Sequence, residues 1–334
     1  MYIKYNCVPL KKPVNTWLRD VVYVMRTECL RIGSFNIQVF GQKKVENGKV
    51  LSYIVQILKR YDLVVILEIR DKKGTAFQKL LQELNQQSNE SYASYVSEAL
   101  GRTVSKEQYG VLYKRTKVTV TSFSVFPDPQ DKFERPPLGF IVNVDGGSLR
   151  FGWVAVHLDP DSVETELNAL YESAEAFRGQ NKLESAFVDI CVQNVLLAGD
   201  MNADCRYLSD RKMKQLSLMK DTSYYWLIDD GYDTTVHSND CALDRMIVYG
   251  NELKSAIKGQ KAEAYRYDDE MKLDHKMQPQ RYLNFEPATT EHSKRRKTCL
   301  WGYQSYSRLG HKQAQEADNN RQTNGDSKSS KDPS

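Results

Sequence analysis

The 334-residue chain contains no apolar run approaching the ~20 residues that a membrane-spanning helix needs. No helical membrane span, and hence no membrane partner, is therefore expected. Its six cysteines, Cys7, Cys29, Cys191, Cys205, Cys241 and Cys299, include no pair at the close spacing of a zinc site. There is no glycine-rich phosphate loop, and no Ser or Cys stands in a nucleophile-elbow context. Chemistry that needs a cradled nucleotide or a covalent protein nucleophile thus has no carrier. No internal repeat is evident. Strong charge is missing too, although the formal total is +4. Residues 1–29 carry five basic and two acidic side chains, and residues 285–334 carry nine and six, so residues 30–284 sum to −2. A nearly neutral body argues against broad electrostatic binding of polyanions. Any nucleic-acid contact should be local, at a cleft, with a metal ion assisting. Within residues 1–29 the apolar run Val21–Met25 is too short for a signal-peptide core. That segment reads as an extension outside the fold.

What is present centres on Asn194–Cys205, NVLLAGDMNADC. Val195 to Ala198 form an apolar run suited to a strand buried on both faces. Gly199 ends it, and Asp200, Asn202 and Asp204 follow. Such residues make a polar turn, or they supply oxygen ligands for a hard cation and an amide donor for phosphate. The hydrophobic content of 40% is enough for one large core or two modest ones.

Other segments repeat the pattern of an apolar strand with a polar end. Leu30–Phe40 reads as a strand carrying Asn36. Apolar positions over Lys49–Tyr61 form a helical stripe. Leu63–Leu67 is a buried strand ending in Glu68, and buried glutamates are rare unless paired or metal-bound. Phe77, Leu80, Leu81 and Leu84 place a second helix. Strand-like segments follow at Tyr92–Glu98, Tyr109–Lys114, Lys117–Phe126, Leu138–Val144 and Leu149–Val156, with a proline-rich loop around Arg135. This β-rich middle departs from strict βαβ alternation. Phe151–His157 ends in an imidazole. Helical patterning returns over Val163–Phe177 and near Ser209–Met219. Asn239–Val248 starts polar and becomes a strand, with Asp244 at its start. Asp274-His275 comes last. The triplet Asn89-Glu90-Ser91 is an N-glycosylation sequon.

The strand ends therefore offer acids, amides and imidazoles: Asn36, Glu68, His157, Asp200, Asn202, Asp244, Asp274 and His275. Carboxylates for a metal and imidazoles for proton transfer, without a protein nucleophile, suit direct attack of water on a phosphate.

In these motifs the chain resembles the deoxyribonuclease I family of the endonuclease/exonuclease/phosphatase superfamily. The resemblance rests on LRIGSFNIQVF (Leu30–Phe40), SYIVQILKRYDLVVILEIRD (Ser52–Asp71), SEALGR (Ser97–Arg102), KEQY (Lys106–Tyr109), VAVH (Val154–His157), GDMNADC (Gly199–Cys205), NDCALDRMIV (Asn239–Val248) and Asp274-His275. It implies an α/β four-layer sandwich, two packed mixed β-sheets flanked by helices, over residues 30–284. Residues 285–334 are polar and basic and end in Asn/Gln/Ser/Lys-rich text, where a disordered tail is expected. The resemblance also implies residue roles. Asn36, Glu68 and Asp274 would bind a catalytic Mg2+ or Mn2+, with Asp200 and Asn202 completing the phosphate environment. Glu107 would orient His157, and Asp244 would orient His275. Arg70 would reach the minor groove of double-stranded DNA and Arg135 would touch backbone phosphate. Asp233 and Thr235 would contribute to a structural Ca2+ site, and Cys205 and Cys241 would be disulfide-bonded.

The chain departs from the family in places. Ser124–Arg135 lacks the cysteines of a short second disulfide loop. Ser105 stands where a groove-contacting tyrosine is common. Lys276–Arg281 lacks the alternation of a final strand and holds a proline. Three functions stay open at this stage. They are a metal-dependent DNA endonuclease of low sequence specificity, a phosphoesterase of the same superfamily with another substrate, and a catalytically impaired nuclease fold that binds DNA or actin. The expected protein is a monomer of the secretory route. The tail run Lys294–Lys297 reads as solvated, with a nuclear role as the alternative.

Overall fold

The computed structural model describes residues 30–144, 149–179, 192–235 and 240–273. The expectations for residues 1–29 and 285–334, and for Asp274 and His275, fall outside these residues.

Ten strands form two sheets. The first holds β1 (Ile32–Phe40), β2 (Leu63–Ile69), β3 (Tyr92–Val96) and β4 (Gln108–Lys114) in the order β1-β2-β4-β3. The second holds β5 (Val118–Val125), β6 (Leu138–Val144), β7 (Arg150–His157), β8 (Val195–Asp200), β9 (Tyr224–Trp226) and β10 (Asp244–Tyr249) in the order β5-β6-β7-β8-β10-β9. Each sheet contains one parallel pair, β1 with β2 and β7 with β8; every other pairing is antiparallel. A parallel pair needs a crossover, usually helical. Here α1 (Gln42–Glu46) and α2 (Gly48–Leu58) link β1 to β2, and α4 (Val163–Phe177) lies between β7 and β8; α3 (Thr75–Gln87) follows β2. The remaining helices are short: α5 (Asp210–Met213), α6 (Ser217–Lys220), α7 (Asn251–Ala256) and α8 (Tyr267–Glu270).

The sequence dictates these layers through period. Phe151, Trp153 and Ala155 of β7, with Leu196 and Ala198 of β8, join the core between the sheets. Val154 and Val156, with Val195 and Leu197, turn the other way and pack under Leu167, Leu170 and Phe177 of α4. Successive side chains on a strand alternate faces, so an unbroken apolar run serves two cores at once. On the far side, Ile54, Ile57 and Leu58 of α2 and Phe77, Leu80 and Leu84 of α3 cover the first sheet. The result is the four-layer α/β sandwich, helix on sheet on sheet on helix.

The expected single helix over Ser209–Met219 is two helices. Leu216 is almost fully buried, with extended backbone at φ −61 and ψ 143. The Ser217 N–H and hydroxyl both donate to Asn168 Oδ1 at 3.2 Å. A tertiary anchor overrides local periodicity there. The aromatic edge strand β9 has no signal beyond its three residues.

The backbone carries one tight constraint beside the strand ends. Gly199 has φ +154, and a Cβ there would sit 1.9 Å from the Val156 carbonyl oxygen. Only glycine lets β8 run this close to β7. Gly199→Ala should therefore cost more than about 3 kcal/mol or abolish folding. Thermal melting checks this, and a Tm within a few degrees of the parent would refute the constraint.

Candidate active site

Because β1 and β2 run parallel, as do β7 and β8, their C-terminal ends carry Asn36, Glu68, His157 and Asp200. The register places His157 opposite Asp200 and Asp200 opposite Asp244. Asn36 is opposite Leu67, the residue before Glu68. In open α/β sheets ligands bind at this carboxyl end.

The two sheets meet at one amide. Asn36 Nδ2 donates to Glu68 Oε1 at 2.8 Å and to Asp200 Oδ2 at 3.1 Å. All three side chains are buried, Glu68 at 8% and Asp200 at 0% exposure. A bulge in β1 between Asn36 and Phe40 supplies further donors. Gln38 and Val39 take positive φ, and their N–H groups donate to Asn36 Oδ1 at 2.8 Å and Glu68 Oε2 at 3.0 Å. Glu68 itself has φ 56, uncommon for a non-glycine residue. Lys44 Nζ braces the bulge by donating to the Ile37 carbonyl at 2.9 Å. Burial lowers the Lys44 amine to about 8, against the opposing pull of the Glu68 charge.

His157 bridges to a second acid. Its Nδ1 lies 2.8 Å from Glu107 Oε2, and its Nε2 faces Glu68 Oε1 at 3.7 Å. Glu107 directly precedes β4 and pairs as an isolated bridge with Leu100 of the SEALGR segment. Its carboxylate also accepts from Arg70 Nη2 at 2.6 Å and lies 3.6 Å from Arg135 Nε. Burial alone would raise this carboxyl. The hydrogen bond and charge of His157, then Arg135 and Arg70, outweigh it and hold the group at about 2.

Arg70 is about one-third exposed, whereas the Arg135 side chain is 11% exposed and also donates to the His157 carbonyl at 3.1 Å. Asn202, at φ 48, donates from its amide to the Leu158 carbonyl at 2.9 Å. Its own N–H donates to Asp200 Oδ1 at 3.1 Å. Asp244 is buried at the start of β10, and its N–H donates to the Thr234 hydroxyl at 3.2 Å. The structure thus brings together Asn36, Glu68, Arg70, Glu107, Arg135, His157, Asp200, Asn202 and Asp244. His275, the partner expected for Asp244, and Asp274 lie outside the described residues.

The sequence reading gives no role to Tyr109 or Lys44. The Tyr109 hydroxyl accepts the His157 N–H at 3.1 Å and reaches the Arg135 carbonyl at 3.5 Å. Burial pushes this phenol far up, so it stays neutral. Its only signal in the sequence is its place in KEQY.

Two metal expectations can be tested on these residues. At the strand ends the donors fit a hard divalent cation, because two buried carboxylates and an amide converge. Among the described residues no group of three or more His, Cys, Asp or Glu has ion-holding geometry. The Asp233 corner, where the resemblance implies a structural Ca2+, is held by hydrogen bonds and an ion pair. Asp233 Oδ1 accepts the Thr235 N–H and hydroxyl at 2.8 and 2.9 Å, and Oδ2 faces Arg266 Nη1 at 2.6 Å. In this structure a guanidinium neutralises that carboxylate.

Cys205 and Cys241 are disulfide-bonded, with Cα atoms 5.8 Å apart and a sequence separation of 36. The bond ties the turn after Asp200 to the segment before Asp244. Closing a loop of that size is worth roughly 4 kcal/mol in the chain-entropy account.

The endonuclease/exonuclease/phosphatase family model matches residues 33–262. Deoxyribonuclease-1-like 2 of Mus musculus is 32% identical over 256 residues, covering 75% of this chain and 87% of its own. Deoxyribonuclease-1 of Bos taurus is 36% identical over 240 residues, covering 68% and 80%. Deoxyribonuclease-1 of Homo sapiens is 34% identical over 238 residues, again covering 68% and 80%.

The depressed Glu107 carboxyl links stability to pH. Its folded value, about 2, lies below its ordinary 4.5, so its stabilisation is complete above that ordinary value and is lost as pH falls through about 2. The stability gap between the parent and Glu107→Gln should be roughly 3 kcal/mol near neutrality and shrink steadily below about pH 4.5. Denaturant melts across that range check it; a gap that does not narrow on acidification would contradict the assignment.

Proposed function

The chain belongs to the endonuclease/exonuclease/phosphatase family, and on that premise we propose that it is a divalent-metal-dependent endonuclease hydrolysing DNA phosphodiester bonds with low sequence specificity. The observation that carries the proposal is the His157–Glu107 pair at 2.8 Å, set beside the buried Asn36, Glu68 and Asp200 cluster. The DNA substrate is supported by the curated relatives, which are named deoxyribonucleases.

Asn36 and Glu68, with Asp200 beside them, would hold Mg2+ or Mn2+. When bound, the ion neutralises charge developing on the phosphate. The protein does the rest. Glu107 fixes the ring of His157 and favours the proton on Nδ1, so Nε2 is free to take the proton of an attacking water. Glu107 stays ionised through the working range because the hydrogen bond from His157 and the charges of Arg135 and Arg70 hold it down. It therefore stabilises the imidazolium that forms when His157 accepts the proton. Arg70, exposed at the edge of this cluster, supplies donors to the nucleic-acid backbone or groove. With the 30–284 body near neutral, such local contacts carry the binding. The disulfide and the deoxyribonuclease relatives support an extracellular setting. No helix among the described residues is long and apolar enough to cross a membrane.

Purified protein should nick supercoiled plasmid with magnesium, and a chelator should stop it. His157→Ala should lower the rate by roughly 10²–10⁴-fold, the range of a lost general base. Its Tm should stay close to the parent's. A folded parent without cleavage would overturn the proposal. A His157→Ala protein that cleaves normally would overturn the role given to the histidine.

A further inference from the structure

The far end of the first sheet carries a feature that catalysis does not use. β3 is an edge strand, paired only with β4 among the described residues. Between α3 and β3 the chain turns through Ser88, Asn89 and Glu90. This corner is fastened from inside. Asn85 Oδ1 accepts the Tyr92 N–H at 2.6 Å, and Asn85 Nδ2 donates to the Tyr92 carbonyl at 3.1 Å. The Tyr92 hydroxyl donates to the Tyr61 carbonyl at 2.6 Å. Glu90 engages the Thr116 hydroxyl and lies 3.6 Å from Lys114 Nζ. Asn89 and Ser91 are both exposed, so the corner's hydrogen bonds are made by their neighbours.

Asn89-Glu90-Ser91 is the one Asn-x-Ser/Thr triplet in the sequence. A sequon is compatible with a fold only where its asparagine reaches solvent, and surface loops are where acceptors lie. Asn89 meets that condition on a bend. A polar depression of about 200 Å³ adjoins it, lined by Lys59, Gln87, Tyr92 and Lys114. Lys59, Gln87 and Lys114 offer donors to a first sugar. The Cys205–Cys241 bond points to folding in an oxidising compartment, where N-glycosylation also occurs.

We propose that Asn89 is an N-glycosylation site whose glycan covers the exposed edge of β3, at the end of the sheet opposite the catalytic cluster. The register fixes that placement. Tyr92 pairs with Lys114 at one end of β4, while Glu107 precedes its other end. Seven residues of strand at about 3.4 Å each separate the two by roughly 20 Å. A sugar at Asn89 therefore leaves the substrate path open. It also shields an edge strand that pairs on one side only among the described residues.

The test is translation of the full chain, behind a secretory leader, into endoplasmic-reticulum microsomes. Formation of the Cys205–Cys241 bond marks the lumenal chain. Peptide N-glycosidase should produce one downward mobility shift, with residue 89 then read as aspartate by mass spectrometry. Asn89→Gln and Ser91→Ala should each abolish the shift and leave plasmid nicking unchanged. A lumenal, disulfide-bonded chain with no digestible shift would overturn the proposal. So would a shift that survives Asn89→Gln.

Discussion

Burying two carboxylates beside one another is the constraint on which the rest of this structure depends. Glu68 and Asp200 come from different sheets, are 8% and 0% exposed, and share a single amide donor from Asn36. Removing such charges from water costs several kcal/mol each unless hydrogen bonds or a cation compensate. The local backbone is shaped to compensate. Gln38 and Val39 adopt left-handed conformations that aim their N–H groups at Asn36 and Glu68, and Asn202 bends back to give its N–H to Asp200. Positive φ at Gln38, Val39, Glu68 and Asn202 is strain of the kind that gathers at functional sites, and the surrounding sheets over-determine it.

The parallel pairs β1 with β2 and β7 with β8 carry site residues toward their C-terminal ends, and the antiparallel neighbours β4 and β10 bring Glu107 and Asp244 at their beginnings. The crossover helices that parallel pairing requires become the outer layers, and α2 and α4 bury their apolar stripes there. The turns beyond the strands then need tethers. Arg245, 1% exposed, donates to the Ala203 and Ile228 carbonyls and pairs with Asp230 at 2.9 Å. Asp204 accepts the N–H of Ala242 at 2.6 Å, beside the Cys205–Cys241 bond. Covalent, ionic and hydrogen-bonded ties thus converge on the segment that follows Asp200.

Much of this is legible in the sequence because strand burial writes itself as apolar runs. Leu63–Leu67 and Val195–Ala198 are readable as buried strands, and the polar residues that end them are readable as a site by their rarity in such positions. The layer count and the pairing of Glu107 with His157 are not readable from pattern; they enter through resemblance. The bulge at Gln38 and Val39 has no sequence signal, since neither residue is a glycine. Tyr109 looks like one aromatic among twenty tyrosines, and only tertiary proximity gives it the His157 N–H. At the Asp233 corner the sequence gives no sign of Arg266, 33 residues away, which the fold brings to that carboxylate.

The two arginines illustrate how far burial separates residues that a motif treats alike. Both face Glu107 in this structure, and both help keep it ionised. Arg70 spends one guanidinium nitrogen on the carboxylate at 2.6 Å and is about one-third exposed. A guanidinium has five N–H donors in a rigid fork, so donors remain for an outside phosphate or base edge while Glu107 stays gripped. Arg135 has no such latitude. Its Nε is committed to the His157 carbonyl at 3.1 Å, and 11% exposure leaves little of it for solvent. Its loop is held as well, since the Glu134 N–H donates to the fully buried Glu166 at 2.7 Å. The same charge on two side chains therefore divides into one fixed beside His157 and one that keeps part of its guanidinium at the surface.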